Sequence, residues 1–516
     1  MNILSPFRAR SLAFMLSIGA SAFALSGQAD ARSIKFAMGA PVLTLDPGVA
    51  AGTQAQTVRI QVMEPLVQMN AETGKIEPLL AESWSLADDK KTWTFKLRPG
   101  VKFHDGTPLT SADVVASLSR IIDPKSGLGR AADLRAISEV TPVDDLTVKL
   151  TTAAPFGALL QVLALDSASI LSAASLKADA AKIGWNPVGT GPFKYVSHQA
   201  EQSVTLARND AYWGTKPAAE GIQFITVPEA ATRLSMLETG EADIVTDVPG
   251  SEIERLQSTP DIALLKKPNT RVGHIGINVS KPPFTDARVR QALNFAVDRE
   301  AIAEGVLRGL GIPAETIIAP PVFGYAPQKL YSYDPKKAKA LLTEAGFPNG
   351  FKTTIWTPQG RYYMDRETVI AVQAQLKEIG VDASVEIVDW STYLAALRKP
   401  QAENKSELYM LGWETGTADI QIILDTVFDS ARMPPNGWDT MFYKNPDVDA
   451  LRVEIGREVD PDKRLKLAAD AQALIMKDAP WVPLYSYIQV TGYRKNITGL
   501  EYLATDVYRL KNIKFN

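Results

Sequence analysis

TWTFKLRPGVKFHDGTPLTSADVVASL, from Thr92 to Leu118, is the stretch on which the reading of the fold turns. Trp93, Phe95 and Leu97 alternate with Thr94, Lys96 and Arg98, and a period of two writes a half-buried strand. Pro99-Gly100 makes a turn, and Val101 and Phe103 resume the alternation until His104-Asp105-Gly106 and Thr107-Pro108 break it. Thr110, with Asp113 three residues on, is a capping box, so a helix is predicted next. Val114, Leu118, Ile121 and Ile122 fall on one stripe of that helix. The unit is strands feeding an amphipathic helix, which puts the chain in the α/β class.

With PLLAESW ahead of it (Pro78 to Trp84), the block resembles the signature of the family 5 extracellular solute-binding proteins. Those are the dipeptide, oligopeptide, glutathione and nickel receptors of ABC importers. The resemblance implies a two-lobed α/β periplasmic-binding-protein fold of the type II, Venus-flytrap kind, with a small inserted domain. It identifies a scaffold and leaves the ligand open.

Length and composition agree with several domains built on apolar cores. The chain has 516 residues, 46% of them hydrophobic and 22% charged. A formal charge of -3 gives no basic footprint, and nucleic acid is not an expected partner. No cysteine is present, which excludes disulfides, thiolate catalysis, thiolate metal sites and a lipid anchor on an N-terminal cysteine. Arg8 and Arg10 precede an apolar run from Leu12 to Leu25, and Ala29-Asp30-Ala31 has the small residues of a signal-peptidase site. That run falls short of the ~20 residues that span a bilayer. Cleavage after Ala31 and a free periplasmic protein of a Gram-negative bacterium are therefore expected.

Further blocks order the chain. Leu43-Thr44-Leu45-Asp46-Pro47 resembles the family's opening, and Val188-Gly189-Thr190-Gly191-Pro192-Phe193 resembles its return to the first lobe. The two glycines around Thr190 are expected to take positive φ in a tight turn. Arg271 to Gly311 resembles the crossing into the second lobe, placing one hinge strand near Val272 to Asn278, and Trp481 to Val490 is the second. The expected division is a signal peptide over 1–31, lobe I over 32–75, 184–271 and 485–516, an inserted domain over 76–183, and lobe II over 272–484.

Enzyme patterns are missing. His104, His198 and His274 are the only histidines, each read as a satisfied loop or strand residue, and no HExxH or GxSxG occurs. No cofactor and no metal is expected. A binding cleft is instead lined by aromatic groups and a few oriented polar ones. Trp390, Trp413, Trp438 and Tyr487 lie in stretches resembling cleft-lining or neighbouring segments. Trp413 sits in Leu411-Gly412-Trp413-Glu414-Thr415-Gly416-Thr417-Ala418-Asp419, which resembles the family's Gly-Trp loop. Di- and oligopeptide receptors carry an aspartate three residues after that tryptophan, pairing with the ligand's α-ammonium. Gly416 holds that place here, which leaves Asp419 or Glu414 to reach in. Arg361, in a loop before a helix, is the candidate for an acidic end, because a guanidinium binds carboxylate bidentately.

The expected function is capture of a small peptide or peptide-like solute by hinge closure, by a monomer, and delivery to inner-membrane permease subunits driven by cytoplasmic ATPases. Glutathione, an opine, an oligosaccharide or a nickel chelate on the same scaffold are the alternatives, followed by a periplasmic chaperone or hydrolase.

Overall fold

Thr92–Leu97 is a strand with Trp93, Phe95 and Leu97 buried, as its alternation requires. A computed structural model describes residues 32–178 and 180–516; the expected leader, Met1 to Ala31, lies outside them. Gly100 turns the chain at φ +77°, and Val101 and Phe103 are buried without a regular strand, held by a Lys102–Pro108 bridge and by bonds from Leu109 N–H to the Val101 carbonyl and from Phe103 N–H to that of Thr107. Both halves of the Thr110/Asp113 capping box form, and the helix Ser111–Ile122 buries Val114, Leu118 and Ile121. It covers a four-stranded antiparallel sheet of order Ala81–Leu86, Thr92–Leu97, Thr147–Thr152, Ile137–Asp144.

Among the described residues the large sheet has eleven strands, ten along one path and Gly311–Pro313 off it beside Trp481–Arg494, and two of them carry the architecture. The first crossing strand, Ile262–Ile277, runs antiparallel to the second, Trp481–Arg494, from Ile262 opposite Arg494 to Gly276 opposite Trp481. On one side they continue into Ile244–Val245, Ser33–Met38, Gly221–Thr226, Ser203–Arg208 and Phe193–Gln199. On the other they continue into Leu408–Glu414, Phe351–Thr357 and Val381–Ile387. The ladder slips twice, between Pro268 and Val272, just ahead of the stretch expected to hinge, and between Gly273 and His274, inside it. Each side has its own apolar core, one around Phe36, Phe193 and Phe224, the other around Phe284, Leu293 and Tyr485.

Local signals placed the helices well. Thr53–Val62 forms where expected; Asp286, Asp334 and Asp460 each cap a helix by accepting a backbone N–H two or three residues on. The glycines of Val188 to Phe193 need correction, because neither Gly189 nor Gly191 has positive φ. A Cβ on Gly189 would lie 2.2 Å from the Val62 carbonyl oxygen, and one on Gly191 would lie 2.5 Å from that of Gln61. Glycine is required there for close backbone approach to the end of Thr53–Val62. The Thr190 hydroxyl, between them, donates to Glu64 at 2.9 Å. Among the described residues no helix is long and apolar enough to cross a membrane.

Candidate solute-binding cleft

Where Leu408–Glu414 pairs with the first crossing strand, Trp413 lies opposite Val272 and Glu414 opposite Arg271. Glu414 and Arg271 form an ion pair across that register. Burial pulls the Arg271 guanidinium down, but the carboxylates of Glu414 and Asp506 outweigh it and hold its pKa above the usual value. The guanidinium also lies 5.8 Å from the centre of the Tyr487 ring.

From Tyr487 an aromatic shelf runs outward. Tyr487 and Tyr362 have ring centres 6.3 Å apart, and Tyr362 meets Trp390 edge-on at 6.0 Å. Gly412 makes the shelf possible, since a Cβ there would come within 2.8 Å of the Tyr362 ring. Arg361 caps the shelf, its guanidinium carbon 4.9 Å from the Trp390 ring centre and 5.4 Å from that of Tyr362. Its loop is fixed from below, because the Asp365 carboxylate accepts the backbone N–H groups of Gly360, Arg361 and Tyr362. The Arg361 side chain is exposed, and among the described residues no carboxylate pairs with it. Trp413 turns to the opposite face of its strand, beside Val272, with Trp438 packed edge-on against it at 5.9 Å and Arg398 over Trp438 at 4.6 Å. The Trp413 indole N–H has no partner within the fold.

A recess lies on the other side of the crossing strands. Phe36, Met38, Thr246, Asp247, Gln489 and Asp506 are among the residues lining it. Asp506 and Asp247 both hold left-handed backbone, φ +61° and +56°, a conformation costly for residues other than glycine and concentrated at functional sites. Asp506 accepts from the Tyr502 hydroxyl and, more weakly, from Asn269, whose own Oδ1 accepts the Arg271 N–H. Burial pushes the Asp506 carboxyl up to about 6, reinforced by the charges of Glu414 and Asp247.

Arg361, Trp390, Tyr487 and Glu414 gather with Tyr362 and Arg271, whereas Trp413, alternating with Gly412 and Glu414 along its strand, turns to the opposite face with Trp438. Asp419 does not join them. It is fully buried, caps the helix Ile420–Thr426 through Gln421, and gives both carboxylate oxygens to Arg464 at 2.6 Å each. These internal bonds make Asp419 a buried tie between two helices. Glu414 reaches the cleft wall but spends its charge on Arg271. Sequence reasoning did not single out Arg271, Tyr362, Asp247 or Asp506. Arg271 was open to notice as a basic residue in a family-like block, whereas no motif surrounds Asp506. The histidines have structural occupations: His274 stacks on Trp481, His198 on Trp185, and His104 bonds the Gly191 carbonyl.

Two α/β bodies joined by a pair of long strands, with aromatic and charged side chains beside the crossing, are the architecture of a solute-binding receptor. Comparison with known proteins gives the family. The chain belongs to the bacterial extracellular solute-binding proteins, family 5, whose model matches residues 75–435, and it is the non-enzymatic solute-binding component of an ABC transporter. It is 34% identical over 472 residues to the glutathione-binding protein GsiB of Escherichia coli K12, covering 91% of this chain and 92% of that one. HbpA2 from Haemophilus parasuis superposes with a TM-score of 0.85 at 28% identity, over 94% of this chain and all of that one. The periplasmic binding protein DppA from Helicobacter pylori, in complex with the peptide STSA, gives 0.71 at 29%, over 94% and 98%.

Proposed function

We propose that this receptor captures a peptide-like solute bearing a free carboxylate, with glutathione first among the ligands to test. The observation that carries the reading is Arg361, a guanidinium without a carboxylate partner among the described residues, presented on the rings of Trp390 and Tyr362. A guanidinium held over aromatic rings offers its fork to a carboxylate. Tyr487 supplies apolar area next to Tyr362, and the Glu414–Arg271 pair beside Tyr487 supplies a polar end. The name of the 34%-identical relative, a glutathione-binding protein, supports a γ-glutamyl peptide, and the peptide held by DppA supports the wider class.

In this reading the leader is removed after Ala31, the mature chain works as a periplasmic monomer, and the loaded form docks on inner-membrane permease subunits. Closure would be rotation about the two slips of the crossing strands, at Pro268 to Val272 and at Gly273 to His274. The test is the melting of residues 32–516 with a panel of glutathione, dipeptides, tripeptides, opines, oligosaccharides and nickel chelates. A true ligand at 100 times its Kd stabilises the native state by ~2.7 kcal/mol. A panel that leaves the melting curve unmoved would reject the receptor reading for these solute classes. Turnover of a panel member would favour a hydrolase instead.

A further inference from the structure

We propose that Tyr363 is a positioning residue for the solute's carboxylate: seated on Gly250, it ties the loop that presents Arg361 to the far side of the large sheet. This rests on the carboxylate reading above and deepens it, because it names the contact that sets where the guanidinium stands.

Three consecutive residues of that loop go three ways. Arg361 is exposed over the rings of Trp390 and Tyr362. Tyr362 is buried in the core that holds Leu293, Val369 and Tyr485, on the Leu408–Glu414 side of the sheet. Tyr363 packs against that core and also against a second one, built on Leu234, Leu237, Val245 and Leu256, on the Ile244–Val245 side. Among the described residues no other half-buried apolar side chain packs on both of these cores. The seat on the far side is Gly250, a buried residue that opens the short turn Gly250–Glu252, three residues beyond Asp247. Its φ lies outside the left-handed range, so no turn geometry calls for glycine there. Space does: a Cβ on Gly250 would overlap the hydroxyl oxygen and Cζ of Tyr363, and would lie 3.0 Å from Leu310 Cδ1. The tip of the tyrosine fills the place that a side chain would take.

The backbone supplies an independent observation. Met364, between Tyr363 and the helix Asp365–Glu378, holds left-handed backbone at φ +54°, a conformation costly for a residue other than glycine. Such strain persists where the surrounding structure over-determines it, and it concentrates at ligand clamps. Two anchors over-determine this loop. The Asp365 carboxylate accepts the N–H groups of Gly360, Arg361 and Tyr362, and Tyr363 is held on Gly250. An arginine side chain has many rotamers, and fixing it only when the solute arrives would cost affinity. A loop anchored on both sides removes part of that cost beforehand, and Tyr363 sets its stand against the far side of the sheet.

Calorimetric titration of residues 32–516 would use glutathione and Gly-Leu, each beside its C-terminal amide, which lacks the charge of that carboxylate. One charge-assisted hydrogen bond corresponds to roughly 10- to 150-fold in affinity, and the wild type should prefer the acid by about that factor. Gly250→Ala puts a methyl where the tip of Tyr363 lies, so the tyrosine must leave its seat. The variant should bind the acid roughly tenfold more weakly or worse and keep its affinity for the amide within about threefold. Tyr363→Ala should do the same, and it carries the test if Gly250→Ala does not fold. Two double-mutant cycles separate positioning from a general structural effect. In a Tyr363→Ala or an Arg361→Ala background, Gly250→Ala should change affinity for the acid by less than about twofold, whereas an independent effect would persist in full. A wild-type preference for the acid that survives both Gly250→Ala and Tyr363→Ala would overturn the positioning role and leave the carboxylate reading standing. So would equal losses toward acid and amide. A wild type that binds acid and amide alike, or none of the four, would overturn the carboxylate reading itself and this inference with it.

Discussion

His274 carries no charge in the folded protein, because burial pushes its imidazole down to about 3 on the first crossing strand. In the unfolded chain it titrates near 6.5. Its contribution to stability is therefore complete above pH ~6.5 and is lost as pH falls toward about 3, the unfolded state taking up the proton first. Asp506 runs the other way: its folded value is raised to about 6, so its contribution is present at low pH and is lost as pH rises through that value. His274→Phe, which keeps a flat ring against Trp481, should flatten the acid limb. Urea unfolding between pH 6 and pH 4 should show a slope smaller by up to ~1.4 kcal/mol per pH unit; an unchanged slope would place the acid sensitivity elsewhere. At this scale the sequence is legible only where chemistry is local. An aspartate ahead of an apolar run reads as a cap, and Asp419 is one. That Arg464, 45 residues on, would occupy both its oxygens is a tertiary fact with no local sign.

Between elements, Asp419 and Arg361 can be told apart by what each mutation damages. The Asp419–Arg464 pair ties the start of Ile420–Thr426 to the helix Pro461–Asp478, fully buried. Asp419→Ala leaves a guanidinium buried and unpaired, which typically costs ~3 to 5 kcal/mol. Urea denaturation should show that loss, while the folded variant's ligand affinity stays within about threefold. Arg361→Ala should reverse the pattern, weakening a carboxylate ligand by roughly 10- to 150-fold in calorimetry and leaving unliganded stability nearly unchanged. If Asp419→Ala kept its stability and lost affinity, a ligand's ammonium would be bound there after all. The elements themselves were readable because period, cap and stop residues act over a few positions, as in Thr92 to Ile122. Gly189 and Gly191 were readable as turn-like but for the wrong reason, since Val62 and Gln61 crowd them from another part of the chain.

Across the whole molecule, function depends on two long strands that belong to both sides of one sheet. The alternation of strands and helices, and the blocks at Pro78 to Leu118, Val188 to Phe193 and Arg271 to Gly311, made the architecture legible. The sheet order was not, because Leu408–Glu414 reaches its place beside Ile262–Ile277 through pairing distant in sequence. The recess was hidden for the same reason: Asp506 meets Asn269 across 237 residues. A cleft assembled at this crossing makes one strong demand, that a single solute occupy each chain and leave unchanged. The most direct test is calorimetric titration of residues 32–516 with glutathione, followed by recovery of the solute. Saturable heat with one site per chain and intact glutathione afterwards is the predicted result. The absence of saturable heat with glutathione and with the di- and tripeptides, or consumption of the solute, would contradict it.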